Sequence, residues 1–183
     1  MGHTTSRALL LSVWVVASGF GCAGNGGPLA HAGAVDQAKG TASGGTWLSL
    51  EARGAKLRAP EGWTWTRRGE RFRAEAADKV AVIELAGADD RVQLANLLRT
   101  IGAEHGLDQI DLKKGRSTTV HGITSVIYED MSAEASRVPV DVLTLVGDAP
   151  NGHGVVVVVV IANDASQKHD LALIDAANSL QPL

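Results

Sequence analysis

Residues 155–161 read VVVVVVI, seven consecutive β-branched residues bounded by Gly154 on one side and Ala162-Asn163-Asp164 on the other. β-Branched side chains favour extended backbone, and a run with no polar position has no face to show to water. Such a strand is buried on both sides, so it needs a layer above and a layer below its sheet. Upstream, residues 138–146 alternate in the manner of a strand, and residues 148–154, containing Pro150-Asn151-Gly152, connect the two as antiparallel neighbours. Downstream, Asp164 and Gln167 form a capping-box pattern, and Leu173, Ala176, Ala177 and Leu180 make one apolar face of a closing helix. That helix supplies one covering layer.

The other layer comes from earlier in the chain. Asp90 with Gln93 predicts a second capped helix, on which Leu94, Leu97, Leu98 and Ile101 fall at i, i+3, i+4 and i+7. Before it, strands are expected at 47–52, 55–59, 63–67, 71–76 and 79–85, punctuated by Pro60-Glu61-Gly62 and Arg68-Gly69-Glu70. After Gly106 the period returns to two. Ile110 and Leu112 open a strand expected to run toward Val120, His121-Gly122 turns it, and residues 123–131 return. The expected fold is α+β, a three-layer α/β/α sandwich with a central, mainly antiparallel sheet of about six strands, spanning residues 46–183.

The N-terminus carries an address. Arg7 is followed by the apolar run ALLLSVWVVASGF at residues 8–20, and no Asp or Glu precedes Asp36. Thirteen residues at ~1.5 Å each reach about 20 Å, short of a ~30 Å hydrocarbon core, so the run is a signal-peptide h-region and residues 1–21 are the expected signal peptide. The chain's one cysteine, Cys22, directly follows it. Gly19-Phe20-Gly21-Cys22 resembles the bacterial lipobox, departing from it at Gly19 and Phe20, and the resemblance implies a lipidated cysteine and a membrane-anchored, periplasm-facing envelope protein. Ala30-His31-Ala32 offers an A-x-A cleavage site and, with it, the alternative of a secreted soluble protein. Residues 23–45 hold seven Gly and six Ala, too little to bury, so residues 22–45 are expected to be a flexible tether. Two local matches mislead: Met1-Gly2 opens a myristoylation-like string ahead of an export signal, and Gly19, Gly21 and Gly24 spell G-x-G-x-x-G with no strand before them or helix after.

Composition narrows the function by exclusion. Seventeen Lys+Arg against twenty Asp+Glu in 183 residues give a net charge of −3, which argues against a nucleic-acid binder driven by phosphate attraction. A single cysteine excludes an internal disulfide framework and a thiolate zinc cluster. No G-x-S-x-G elbow or H-E-x-x-H helix is present.

Pro60-Glu61-Gly62-Trp63 early in the domain, the Val120-His121-Gly122 hairpin and the terminal Ser179-Leu180-Gln181-Pro182 resemble the PsbP-like fold, the group that includes the extrinsic protein of photosystem II and bacterial lipoproteins of the DcrB type. The resemblance covers nearly all of residues 46–183. It implies a binding or assembly protein with no common active site, so it supplies no functional residue.

The candidate chemistry is sparse. Glu104, His105, Asp108 and Asp111 cluster after the first helix and are weighed as metal ligands against a solvated helix end. His121 and His153 sit in turns, and Ser166, His169 and Asp170 share one helix at a spacing unsuited to a triad. Neither a catalytic residue nor a metal site nor a cofactor is assigned. Trp63 and Trp65, two apart on one strand face with Trp47 upstream, are the candidate ligand or partner surface. Arg53, Lys56, Arg58, Arg67, Arg68, Arg71 and Arg73 make one segment locally positive. The expected function is a noncatalytic, lipid-anchored, monomeric envelope protein that serves as a binding or accessory module for an unidentified envelope partner, without nucleic acid. The alternatives are a carrier of a small apolar ligand and, behind it, a metal-dependent enzyme.

Overall fold

The computed structural model describes residues 37–107, 112, 115–135 and 138–183. The chain divides into two units, Met1–Ala34 and Val35–Leu183, and everything described below belongs to the second. The expected signal peptide, Cys22 and the first part of the expected tether lie outside the described residues.

Among the described residues, eleven strands and two α-helices follow in order: β1 (Gln37–Thr41), β2 (Trp47–Leu50), β3 (Ala55–Arg58), β4 (Thr64–Arg68), β5 (Arg71–Glu75), β6 (Ala81–Ala88), α1 (Arg91–Glu104), β7 (Arg116–Val120), β8 (Ile123–Ala135), β9 (Val138–Asp148), β10 (Gly154–Ala162), α2 (Ser166–Asn178) and β11 (Gln181–Pro182). Eight strands form one antiparallel sheet in the order β1-β4-β5-β6-β10-β9-β8-β7, and β11-β3-β2 form a second, smaller sheet. The fold is α+β with a large antiparallel sheet, as expected, but the sheet has eight strands where about six were expected.

β10 sits near the middle of the sheet, paired along its length with β6 and β9, and every residue of it is buried. Its side chains alternate between two cores, as the period of a strand requires. Val156, Val158 and Val160 join Leu94, Leu98 and Ile101 of α1. Val155, Val157, Val159 and Ile161 join Leu48, Leu50 and Leu57 of the small sheet and Leu173, Ala176 and Leu180 of the C-terminal segment.

Four local expectations are corrected. Gln37–Thr41, inside the stretch read as a tether, pairs with Thr64–Arg68 as an edge strand, and Ala42 next to it is buried in the core. Residues 47–50 and 55–58 leave the central sheet for the small one, because Leu48, Leu50, Ala55 and Leu57 all turn into the core beneath it. The strand expected from Ile110 begins only at Arg116, and Ile110 lies outside the described residues. The second capping box does not form: a 3₁₀ turn at Asn163–Ala165 precedes α2, so Ala165 takes the N-cap position with no side-chain cap, whereas Asp90 caps α1 by accepting from the Gln93 amide at 2.8 Å.

Candidate functional site

The sheet face beneath α1 carries a buried charge chain. Glu84 lies in the middle of β6 opposite Val158, and it is 1% exposed. Its Oε2 accepts from Arg71 Nε at 2.5 Å and its Oε1 from His105 Nε2 at 2.6 Å, while Arg71 Nη2 reaches Glu104 Oε2 at 2.7 Å. Burial opposes ionisation of Glu84, yet the hydrogen bonds from His105 and Arg71 hold its carboxyl below the usual range. Burial likewise works against the Arg71 charge, and the two glutamates outweigh it and raise its pKa. Glu104 and His105 are thus committed to Arg71 and Glu84. Asp108 and Asp111, the other members of the expected metal cluster, lie outside the described residues, and among the described residues no group of three or more His, Cys, Asp or Glu is arranged to hold a metal.

A second charged cluster closes the opposite side of the fold. Asp78, in the turn after β5, accepts from Lys168 and, at 3.0 Å, from His169 Nε2 of α2. Those bonds hold its carboxyl well below the usual carboxylate range. The His169 ring stands edge-on to Trp63, 5.6 Å between centroids. His169 therefore fastens α2 to the β5–β6 turn and is not paired with Asp170, as a triad would require. At the end of β6, Arg53 binds Asp89 and lies 3.6 Å from Glu70, with His153 Nδ1 3.7 Å from Asp89.

The expected tryptophan surface separates into distinct environments. Trp63 is buried in the core, 6% exposed. Trp63 precedes β4, and Trp65 is half-buried against the same core, 6.1 Å from the Phe72 ring, so both indoles have an inward part to play. The seven basic residues do not form one positive face. Arg53, Arg67, Arg71 and Arg73 each lie within ion-pair distance of acidic groups, Lys56 sits over the Trp47 ring, and Arg58 and Arg68 are exposed.

An apolar recess lies elsewhere. Between α1 and the outer strands a groove of about 320 Å³ is lined by Leu94, Ala95 and Leu98 of the helix, by Val126, Tyr128 and Val146 of β8 and β9, and by Leu112. Arg91 and Asp148, 3.3 Å apart, stand among its polar lining. The signal for this site was present in the sequence as the apolar stripe of α1. Missing was the fact that β7–β9 extend the sheet past the helix and leave a recess beside the stripe, whose Leu94, Leu98 and Ile101 are themselves buried. Among the described residues no helix is long and apolar enough to cross a membrane.

No protein-family model matches the sequence, and no curated protein matches it. Among solved structures the chain is similar to the PsbP protein of the cyanobacterium Synechocystis, at 8% identity and a TM-score of 0.43, over 86% of this chain and 98% of that one. It is also similar to LpqN of Mycobacterium tuberculosis, described as involved in cell envelope biogenesis, at 13% identity and a TM-score of 0.33, over 82% of this chain and 86% of that one.

Proposed function

We propose that this chain is a noncatalytic binding module of the bacterial cell envelope, exported on residues 1–21, anchored through lipid on Cys22, and taking a small apolar ligand in the groove beneath α1. The groove itself carries the reading. Its volume falls in the range of small-molecule sites, and its apolar lining with a few polar groups suits an apolar ligand. Among the described residues, the ionisable side chains whose protonation is shifted, Glu84, Arg71 and Asp78, are engaged by partners inside the fold. That arrangement suits a scaffold better than an acid–base catalyst, which keeps a titrating group turned toward its substrate. The export and anchoring part rests on the apolar run at residues 8–20 and on the position of Cys22.

One pair of variants tests both parts. Ala95 is exposed on the groove wall, so Ala95→Trp fills the groove without entering the core. It is expected to abolish binding of a fluorescent acyl probe while the melting temperature holds. Cys22→Ala is expected to move the folded protein from the membrane fraction to the soluble fraction. Probe binding unaffected by Ala95→Trp removes the groove reading, and an unchanged membrane fraction removes the anchor.

A further inference from the structure

We infer that the groove around Trp47 is a saccharide-binding site, shaped for a gluco-configured pyranose chain. Trp47 opens β2, and because Leu48 and Leu50 enter the core, strand alternation turns Trp47 and Ser49 outward. The indole is 40% exposed, unusual for a side chain that proteins mostly bury. On the same outer face, register places Arg58 opposite Trp47 and Gln181 opposite Lys56, whose Nζ lies 5.2 Å from the indole centroid.

Around this plate runs a groove of about 430 Å³, walled by Asp175, Asn178 and Ser179 at the end of α2 and by His121 in the β7–β8 turn. Ser179 is already used: its hydroxyl accepts from the Arg58 amide at 2.7 Å and donates to the Ala176 carbonyl at 2.6 Å. Among the described residues, the side chains of Arg58, Asp175, Asn178 and Gln181 make no hydrogen bond or ion pair. Four polar groups with unspent capacity therefore converge beside one exposed aromatic ring. A second groove of about 280 Å³ shares Arg58 and Asp175 and continues past Gly44, Gly45, Pro60 and Glu61, so the two recesses adjoin.

One apolar plate with a polar rim matches the two-sided chemistry of a sugar. A gluco-configured ring carries its hydroxyls equatorially and its C–H bonds axially. Its face can lie on the indole face that Lys56 does not cover, while its edge exchanges hydrogen bonds with carboxylate, amide and guanidinium groups. An acyl chain would leave those polar groups desolvated and unpaired, which is costly. A polyanion would meet Asp175 and Glu61. The adjoining recess accommodates a chain longer than one residue. This site is distinct from the groove beneath α1, and neither depends on the other.

The test is calorimetric titration of the purified full-length chain, in a detergent without a sugar headgroup, with cellotetraose and with chitotetraose. Saturable binding of at least one is expected. Trp47→Ala is expected to weaken it about tenfold or more, Trp47→Phe to retain most of it, and Trp65→Phe to leave it unchanged. Because Trp47 is exposed, its substitution is expected to leave thermal unfolding in place. Should Trp47→Ala unfold, the paired change Asn178→Ala with Gln181→Ala carries the same expectation. Absence of binding by both sugars at about 10 mM, or binding that Trp47→Ala leaves intact in a folded protein, overturns the proposal.

Discussion

Glu84 Oε1 and His105 Nε2 are 2.6 Å apart, which ties the C-cap of α1 to the middle of the sheet through a carboxylate almost wholly removed from water. The apolar contacts of Leu94, Leu98 and Ile101 hold the helix down, and the Glu84 bond fixes where along the sheet it ends. Removing one partner of a buried charge network leaves the others desolvated and unpaired, which costs more than the network itself is worth. Glu84→Ala is therefore expected to destabilise the fold by about 3–5 kcal/mol in urea unfolding, with Arg71 and His105 both left short of a partner. Replacing Glu84 and Arg71 together by apolar residues of similar volume is expected to cost much less than Glu84→Ala. A loss below about 1 kcal/mol for Glu84→Ala would place this network with exposed ion pairs instead.

Acid sensitivity follows from Glu84 and from Asp78. A carboxyl held below its unfolded-state value stabilises the fold fully above that value, about 3.9 for Asp and 4.3 for Glu, and the contribution drains away as pH falls toward the folded value. Both Asp78 and Glu84 are shifted downward, so their contribution to stability is expected to be intact above about pH 5 and to be lost as pH falls below it. In Asp78→Asn the acid slope should be shallower than in the unaltered chain, measured as melting temperature against pH. An identical slope would mean that Asp78 has the same affinity for a proton in both states.

How much of this was legible in the sequence depends on the range of the interaction. The VVVVVVI run fixed a strand buried on both faces, and the two-sided core around β10 follows from it. The Asp90 cap was legible because it spans three residues. The Asp164 cap was not, because the 3₁₀ turn that displaces it arises where β10 ends, beyond what a four-residue pattern records. The charge pairs Arg71–Glu84 and His169–Asp78 join residues 13 and 91 positions apart, and no local spacing announces them. The clearest misreading concerns Gly40. In a Gly- and Ala-rich stretch it signals flexibility, yet in the fold it is an extended strand residue across from Trp65, where the missing side chain makes room for the indole.

Gly40 therefore supplies a test of where the domain begins. A Cβ there would stand 2.9 Å from Cε2 and Cζ2 of Trp65, closer than real Cβ contacts come, and the ring rests on the core through Phe72. Gly40→Val is expected to push β1 away from β4, at a cost of about 1–3 kcal/mol typical of overpacking. Amide exchange should quicken at residues 37–41 and stay slow in β6 and β10. If residues 37–41 exchange at the coil rate in the unaltered chain, β1 is no part of the stable sheet and the tether extends to residue 45 after all.

The last expectation concerns a defect inside the sheet. Thr144 of β9 is fully buried opposite Val158, and among the described residues its Oγ1 has no hydrogen-bond partner. A buried hydroxyl without a partner pays its desolvation with nothing in return. Valine has the same branched shape, keeps the β-branch that the strand favours and carries no polar atom. Thr144→Val is therefore expected to raise stability by about 1 kcal/mol, read as a higher melting temperature with an unchanged denaturant slope. This runs against the usual direction for core substitutions, most of which destabilise. A drop in stability would mean that the hydroxyl is satisfied in solution, by a bound water or by a shift of the strand, and that the position is a polar contact worth keeping.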